Sequence, residues 1–245
     1  MAFLDVLAAA TLVFAATSAG AAAVFAFLRV GSRAYAALMS FSAGVMAYSA
    51  LEMMIGARSS LGGAGLFAFF AAGVALLLVL EKSLPHLHPH FRRDGVTLAG
   101  RKPALVAGTV ALHNIPEGFA IASAFAGSPA LGWTVTSAMA LQDIPEGLMV
   151  SAPMACYGMR LGRCFKFGAL SGLIEAVSAI VGYLFLASLS WLTPFGLAFS
   201  AGAMAYVVFV ELLPDAFIAG QRRVAALSFF AGAACAFGLA AVLAA

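Results

Sequence analysis

Apolar residues run along this chain in eight long stretches, with polar residues gathered between them. The stretches cover roughly residues 3–28, 34–56, 63–84, 103–127, 130–157, 164–189, 193–218 and 223–244. Each comes close to or exceeds the about 20 mainly apolar residues that a helical membrane span requires. The connections are short, apart from a polar segment at about 85–102. The pattern predicts an all-α integral membrane protein with eight transmembrane helices. It also predicts a single domain over residues 1–245, with no soluble module.

Composition agrees with this pattern. Hydrophobic residues make up 64% of the chain and charged residues 9%, against roughly 25% charged in soluble domains. A soluble helical bundle this apolar would have no surface to show to water. The first stretch carries Asp5 at its leading end and Arg29 and Arg33 after it. These flanks are the reverse of a signal peptide's, so the stretch reads as a retained span with its N-terminus outside.

Eight spans place Arg29 and Arg33, then Lys82, Arg92, Arg93, Arg101 and Lys102, then Arg160, Arg163 and Lys166, then Arg222 and Arg223 on one side. That is 12 of the 13 basic residues; Arg58 falls on the other. Basic loops stay in the cytoplasm, so both termini are expected outside a plasma (inner) membrane. The net charge of +3 belongs to these loops and gives no reason to expect nucleic acid.

Span 2 reads F-S-A-G-V-M-A-Y-S-A-L-E (Phe41 to Glu52), and span 7 reads F-S-A-G-A-M-A-Y-V-V-F-V-E (Phe199 to Glu211). The two spans run in opposite directions. An inverted repeat follows, with spans 1–3 related to 6–8 around a central pair, a 3+2+3 arrangement. Transporter folds are often built this way, with the substrate near the midplane. The small residues allow helices to approach closely.

The central pair carries the chemistry. H-N-I-P-E-G (His113 to Gly118) is followed 29 positions later by Q-D-I-P-E-G (Gln142 to Gly147). Positions i and i+4 share a helix face, so His113 is expected over Glu117 and Gln142 over Glu146. Asn114/Glu117 and Asp143/Glu146 are the matching i, i+3 pairs. Imidazole, amide and carboxylate groups gathered in an apolar bundle suit a divalent cation. Pro116 and Pro145 free the carbonyls of Leu112 and Leu141, which is tolerable at membrane depth beside a polar cavity.

Intramembrane acids usually mark substrate or ion paths. Span 6 adds Glu175. Glu211 and Asp215 lie nearer the inner end of span 7, as an exit relay or as interfacial acids. Glu52, near the outer end of span 2, is a cation-attracting entrance or a solvated end residue. Met46 is a core residue by base rate, and its thioether is a soft ligand if it faces spans 4 and 5. The 85–102 loop carries His86, His88 and His90 at alternate positions, which in an extended segment face one way. They are receivers of a soft or borderline metal or simply solvated.

Cys156, Cys164 and Cys235 imply neither a disulfide nor a cysteine-based zinc motif. There is no phosphate loop and no GxGxxG, so ATP-driven pumping by this chain alone is not expected. Two other classes also bury acids. An intramembrane metal-dependent hydrolase needs an open metal position and a general base, and no H-E-x-x-H occurs. A proton-coupled exchanger of a non-metal solute has no need of the ligand spacing twice over.

The two hexamers, the eight spans and the histidine-bearing loop after span 3 resemble the ZIP (Zrt/Irt-like protein) family of divalent-metal transporters. Gln142-Asp143 is similar to its bacterial GufA-type branch. The resemblance implies Zn²⁺ as the transported substrate, with Cd²⁺, Fe²⁺ and Mn²⁺ as further cargo and no organic cofactor. It implies two metal sites bridged by Glu117 and Glu146. One takes Met46, His113, Gln142 and Asp143; the other takes Asn114, Asp143 and Glu175. It further implies an acid at Glu211, and rocking of spans 1, 4, 5 and 6 against 2, 3, 7 and 8. Its partners are metal ions and the bilayer, and a homodimer is left open.

Overall fold

A computed structural model describes residues 2–27, 30–83, 103–156, 158–218 and 221–243, with the side chains of α4 described from residue 113 onward. The loop histidines His86, His88 and His90 lie outside the described residues. The apolar stretches form helices α1 (Ala2–Ala22), α2 (Ser32–Arg58), α3 (Gly63–Ser83), α4 (Pro103–Gly127), α5 (Pro129–Cys156) and α6 (Leu161–Ser188). Span 7 consists of α7 (Thr193–Tyr206), a π-helical segment (Val207–Leu212) and α8 (Leu213–Ile218). The last stretch is α9 (Arg222–Leu243).

The protein is an all-α, multi-pass membrane protein. By length and composition, six helical segments among the described residues qualify as membrane-crossing, and α4 and α5 are not among them. In α5, Gln142, Asp143 and Glu146 lower the mean hydropathy that length alone would satisfy. The helix does not break at its prolines: α4 continues through Pro116, and α5 through Pro145 and Pro153.

Burial separates central from peripheral helices. In span 7, 67% of its most apolar stretch is buried, but only 11% of that in α3 and α9. The exposed faces of the outer helices carry Phe67, Phe69, Leu227, Phe230 and Phe237, which suits contact with hydrocarbon. Three of the buried hydroxyls bond to their own helices. Thr17 donates to the Val13 carbonyl at 2.9 Å, Ser49 to Val45 at 3.2 Å and Ser151 to Gly147 at 2.9 Å. Such back-bonding satisfies a hydroxyl where no water can.

The principal packings join α4 to α6, α1 to α5 and α6, α2 to α9, and α3 to α7. Four of them are made at backbone contact distance. A Cβ added to Gly44 would overlap the Phe229 carbonyl oxygen, and one on Gly232 would overlap that of Phe41. Gly73 and Gly202 meet the carbonyls of Phe199 and Phe70 in the same reciprocal way. Between α1 and α5, Gly20 rests on Ile144 and Gly147 on Thr17. Between α4 and α6, Gly118 rests on the Glu175 carbonyl, and the Ser178 hydroxyl donates to the Ile115 carbonyl at 2.7 Å.

Span 7 has one residue more than span 2 between its Phe and its Glu: 13 from Phe199 to Glu211 against 12 from Phe41 to Glu52. The π-helical segment holds that extra residue, since a π turn takes one more residue than an α turn.

A side chain at the glycine contacts must push two helices apart, and overpacking costs about 1–3 kcal/mol. Gly44→Val and Gly202→Val are therefore each expected to lower stability by at least that much in SDS titration of the micelle-solubilised protein. Gly62, with nothing within 4 Å of an added Cβ, serves as control: Gly62→Ala should stay within about 0.5 kcal/mol.

Candidate metal site

The hexamers bring their polar residues together at the centre of the bundle. Asn114, Glu117, Gln142, Asp143 and Glu175 are all buried, at 2% exposure or less. Their placement follows from helical spacing. Asn114 and Glu117 share one face of α4, and Ser171 and Glu175, four apart on α6, share another. The glycine after each hexamer glutamate then lets a neighbouring helix close in. Gly118 seats α4 on α6 at Glu175, which places α6 beside Asn114.

Glu117 is held on both oxygens. Gln142 Nε2 donates to its Oε1 at 2.7 Å, and Asn114 Nδ2 donates to its Oε2 at 3.5 Å. The same Asn114 amide nitrogen donates to Glu146 Oε1 at 3.2 Å. On its other side, Asn114 Oδ1 accepts from the Ser171 hydroxyl at 3.0 Å. Asp143 and Glu175 are fully buried, and neither carboxylate makes a hydrogen bond. Neither does Gln142 Oε1.

The His113 side chain lines a cavity that Glu117 and Glu146 also reach. His113 Nε2 pairs with Glu211 Oε2 from the π-helical segment of span 7. The cavity, of about 160 Å³, lies beside this pair. Its wall takes Tyr35, Met39, Ser42 and Met46 from α2, His113 and Glu117 from α4, Glu146 and Met149 from α5, and Glu211 and Asp215 from span 7. Met46 thus faces spans 4 and 5 across the cavity. Glu52 stays on its own helix and accepts from Tyr48 at 2.5 Å.

The expected residues fall into two sets that meet where Glu117 and Glu146 line the cavity with His113 and Glu211. Asn114, Glu117, Gln142 and Glu146 are joined by hydrogen bonds, with Asp143 and Glu175 among the buried groups. His113 and Glu211 form a pair on the cavity wall. Among the described residues, no three His, Cys, Asp or Glu side chains are gathered closely enough to hold one ion as they stand. Sequence reasoning missed Ser171, although its position four residues before Glu175 could have indicated it. It also missed Met39 and Met149, which nothing local distinguishes from core methionines.

A family model described as ZIP zinc transporter matches residues 101–244, more than half of the chain. The chain belongs to the ZIP zinc transporter family. Among curated relatives, this ZIP chain is 33% identical to zinc transporter ZIPB of Bordetella bronchiseptica, over 89% of its own length and 75% of that protein's. It is 32% identical to zinc transporter ZupT of Corynebacterium efficiens, over 90% and 91% of the two lengths. With zinc transporter GufA of Myxococcus xanthus it shares 33% identity over 62% of the chain and 63% of the relative. Membership makes the protein a membrane transporter of divalent metal rather than an enzyme, which removes the hydrolase reading. The non-metal exchanger is removed with it.

Ser171 gives the site a test that does not depend on transport. Ser171→Ala removes the donor to buried Asn114 Oδ1 and should cost about 1–3 kcal/mol, the penalty of an orphaned buried acceptor. Ser188, which donates to the Leu184 carbonyl at an exposed position, is the control. Ser188→Ala should change the unfolding midpoint in SDS by far less.

Proposed function

We propose that this protein carries Zn²⁺ across the plasma membrane into the cytoplasm, through the buried cluster on α4, α5 and α6 and out along the cavity. The observation that carries this reading is the joining of Glu117 and Glu146 by amides within an apolar bundle, with the cavity reaching the same two glutamates. A charged side chain at the centre of a spanning helix costs about 2.5–3.5 kcal/mol. Two carboxylates without hydrogen bonds, Asp143 and Glu175, beside two that are joined, form a group that a divalent cation would stabilise. Oxygen-rich ligation with one imidazole and one thioether gives modest selectivity, which admits Cd²⁺, Fe²⁺ and Mn²⁺.

The eight-span, 3+2+3 reading is supported by the packing. Thr17 and Glu175, Gly20 and Ser178, Phe41 and Phe199, and Gly44 and Gly202 occupy matching roles in the close contacts, each pair 158 positions apart. Phe70 and Phe229, and Gly73 and Gly232, match at 159. An inverted repeat in one domain accounts for both offsets. The same packing favours α1, α4, α5 and α6 rocking against α2, α3, span 7 and α9. With the basic loops and both termini placed as above, the cavity lies toward the cytoplasm, since Tyr35 opens α2 and Asp215 closes span 7. His113 and Glu211 then stand on the exit side. Two ions are the fullest use of the ligands, with Glu117 and Glu146 bridging. Met46, His113, Gln142 and Asp143 complete one shell, and Asn114, Asp143 and Glu175 the other.

Proteoliposomes loaded with a zinc indicator test this directly. His113→Ala and Glu117→Ala should each abolish uptake while inserting normally. Near-normal uptake by well-inserted Glu117→Ala would remove the cluster from the mechanism. The two-ion arrangement has its own measurement: Glu175→Gln should lose one of two zinc ions in equilibrium dialysis at fixed free zinc. One ion in the parent protein, unchanged in the variant, would leave a mononuclear site.

A further inference from the structure

Three methionines line the cavity, and the zinc reading uses only one of them. Met39 and Met46 come from α2, and Met149 comes from α5. Met39 and Met46 are seven residues apart, so they share a face of α2 and lie about 10.5 Å from each other along it. Met149 follows Glu146 by three residues on the same wall.

Met39 and Met149 differ from the methionines that fill gaps in the bundle. Met53, Met139 and Met204 are fully buried within the apolar core. Among the described residues, Met39 and Met149 join none of the apolar clusters. Both are only partly buried, and both border the open volume. About 160 Å³ is ample for a small ion with water beside it.

The wall therefore offers two kinds of ligand. Glu117, Glu146 and Glu211 carry hard, charged oxygens, which suit divalent cations. A thioether is neutral, polarizable and soft. It brings no charge to offset that of a divalent ion, and it favours soft ions such as Cu⁺. A methionine side chain is unbranched with three rotatable bonds. Met39 and Met46 can therefore close on an ion from two turns of α2 while Met149 meets it from α5.

We propose that this cavity is a second metal site, which takes a soft monovalent cation of the Cu⁺ class on the thioethers of Met39, Met46 and Met149. Met46 is common to this site and to the zinc site of the preceding reading. Met39 and Met149 belong to this one alone. An ion seated here stands beside His113 and Glu211 and obstructs the cavity. The site stands on the cavity and its sulfur atoms, and zinc transport is not a premise of it.

Ag⁺ serves as the probe, because it shares the charge and closed shell of Cu⁺ and is stable in air. The full chain carries ¹³C at its methionine methyl groups. Its thiols, which compete for soft ions, are removed by Cys156→Ala, Cys164→Ala and Cys235→Ala. Met39→Leu, Met46→Leu and Met149→Leu assign the three resonances in micelles. The expected result is that these three move together and saturate with a single Ag⁺, ahead of the other methionines. The double variant Met39→Leu/Met149→Leu keeps side-chain volume nearly unchanged. It should weaken Ag⁺ binding at least about tenfold, the lower end of what even an indirect partner of a metal ligand is worth. Zinc bound in equilibrium dialysis should not change. Met39 and Met149 resonances that stay in place, or exposed methionines that shift first, overturn the site. So does a double variant that binds Ag⁺ as the parent does, or that loses zinc along with it. If the double variant does not fold, the resonances of the parent decide by themselves. A parent that binds Ag⁺ here and no zinc overturns the transport reading and leaves this site standing.

Discussion

Glu117 receives one amide hydrogen on each carboxylate oxygen, from Gln142 on α5 and Asn114 on its own helix. At 2% exposure Glu117 takes these hydrogen bonds from the protein, as a buried carboxylate needs. The rest of the arrangement serves this pairing. Asn114 extends it to Glu146, and Ser171 on α6 holds the far side of Asn114. The cluster draws on three helices, and its geometry persists only if all three stay in register. A buried polar network is costly when half satisfied, and this one leaves Asp143, Glu175 and Gln142 Oε1 without hydrogen bonds. Its open groups are therefore the ones that a cation can relieve.

Close helix packing supplies the register. In each hexamer the glutamate reaches into the cluster while the next residue, Gly118 or Gly147, meets a neighbouring backbone carbonyl. Site and packing contact thus share adjacent residues. A shift of α6 along α4 would move Glu175 and Ser171 relative to Asn114 at the same time. Membrane helices gain little from apolar burial against one another, since lipid is equally apolar, so small residues and close van der Waals contact do this work. The same logic holds the outer pairs, α2 with α9 and α3 with α7, where Phe-x-x-Gly segments mesh reciprocally.

Span 7 departs from regularity where it touches the cavity. Its π-helical segment brings Val207, Glu211 and Leu212 to the cavity wall and sets Glu211 against His113. π-turns recur at functional sites. Here the wide turn holds the residue by which span 7 exceeds span 2. The paired glutamates of the two spans consequently have different partners: Glu52 takes Tyr48 on its own helix, and Glu211 takes a histidine from α4.

Much of this protein was legible without coordinates. Long apolar stretches can satisfy their backbones only as helices at membrane depth, so the helices and their approximate limits followed from the chain. The residue types at His113 to Glu117 and Gln142 to Glu146 point to the cation site proposed above, and the Phe41 and Phe199 stretches point to the proposed repeat. Pairing between helices was not legible. The i, i+4 rule set His113 on the face of Glu117, and both line the cavity, but only the fold adds Glu211 as a partner of His113. The rule set Gln142 over Glu146, and the fold gives it Glu117 across the helix interface. Ser171 joined the site without a motif to mark it. Periodicity states which residues share a face of one helix. It does not state how far that helix is rotated or slid against the next, and a carboxylate takes its partner from whichever donor that rotation brings within about 3 Å. Only the packed bundle decides that.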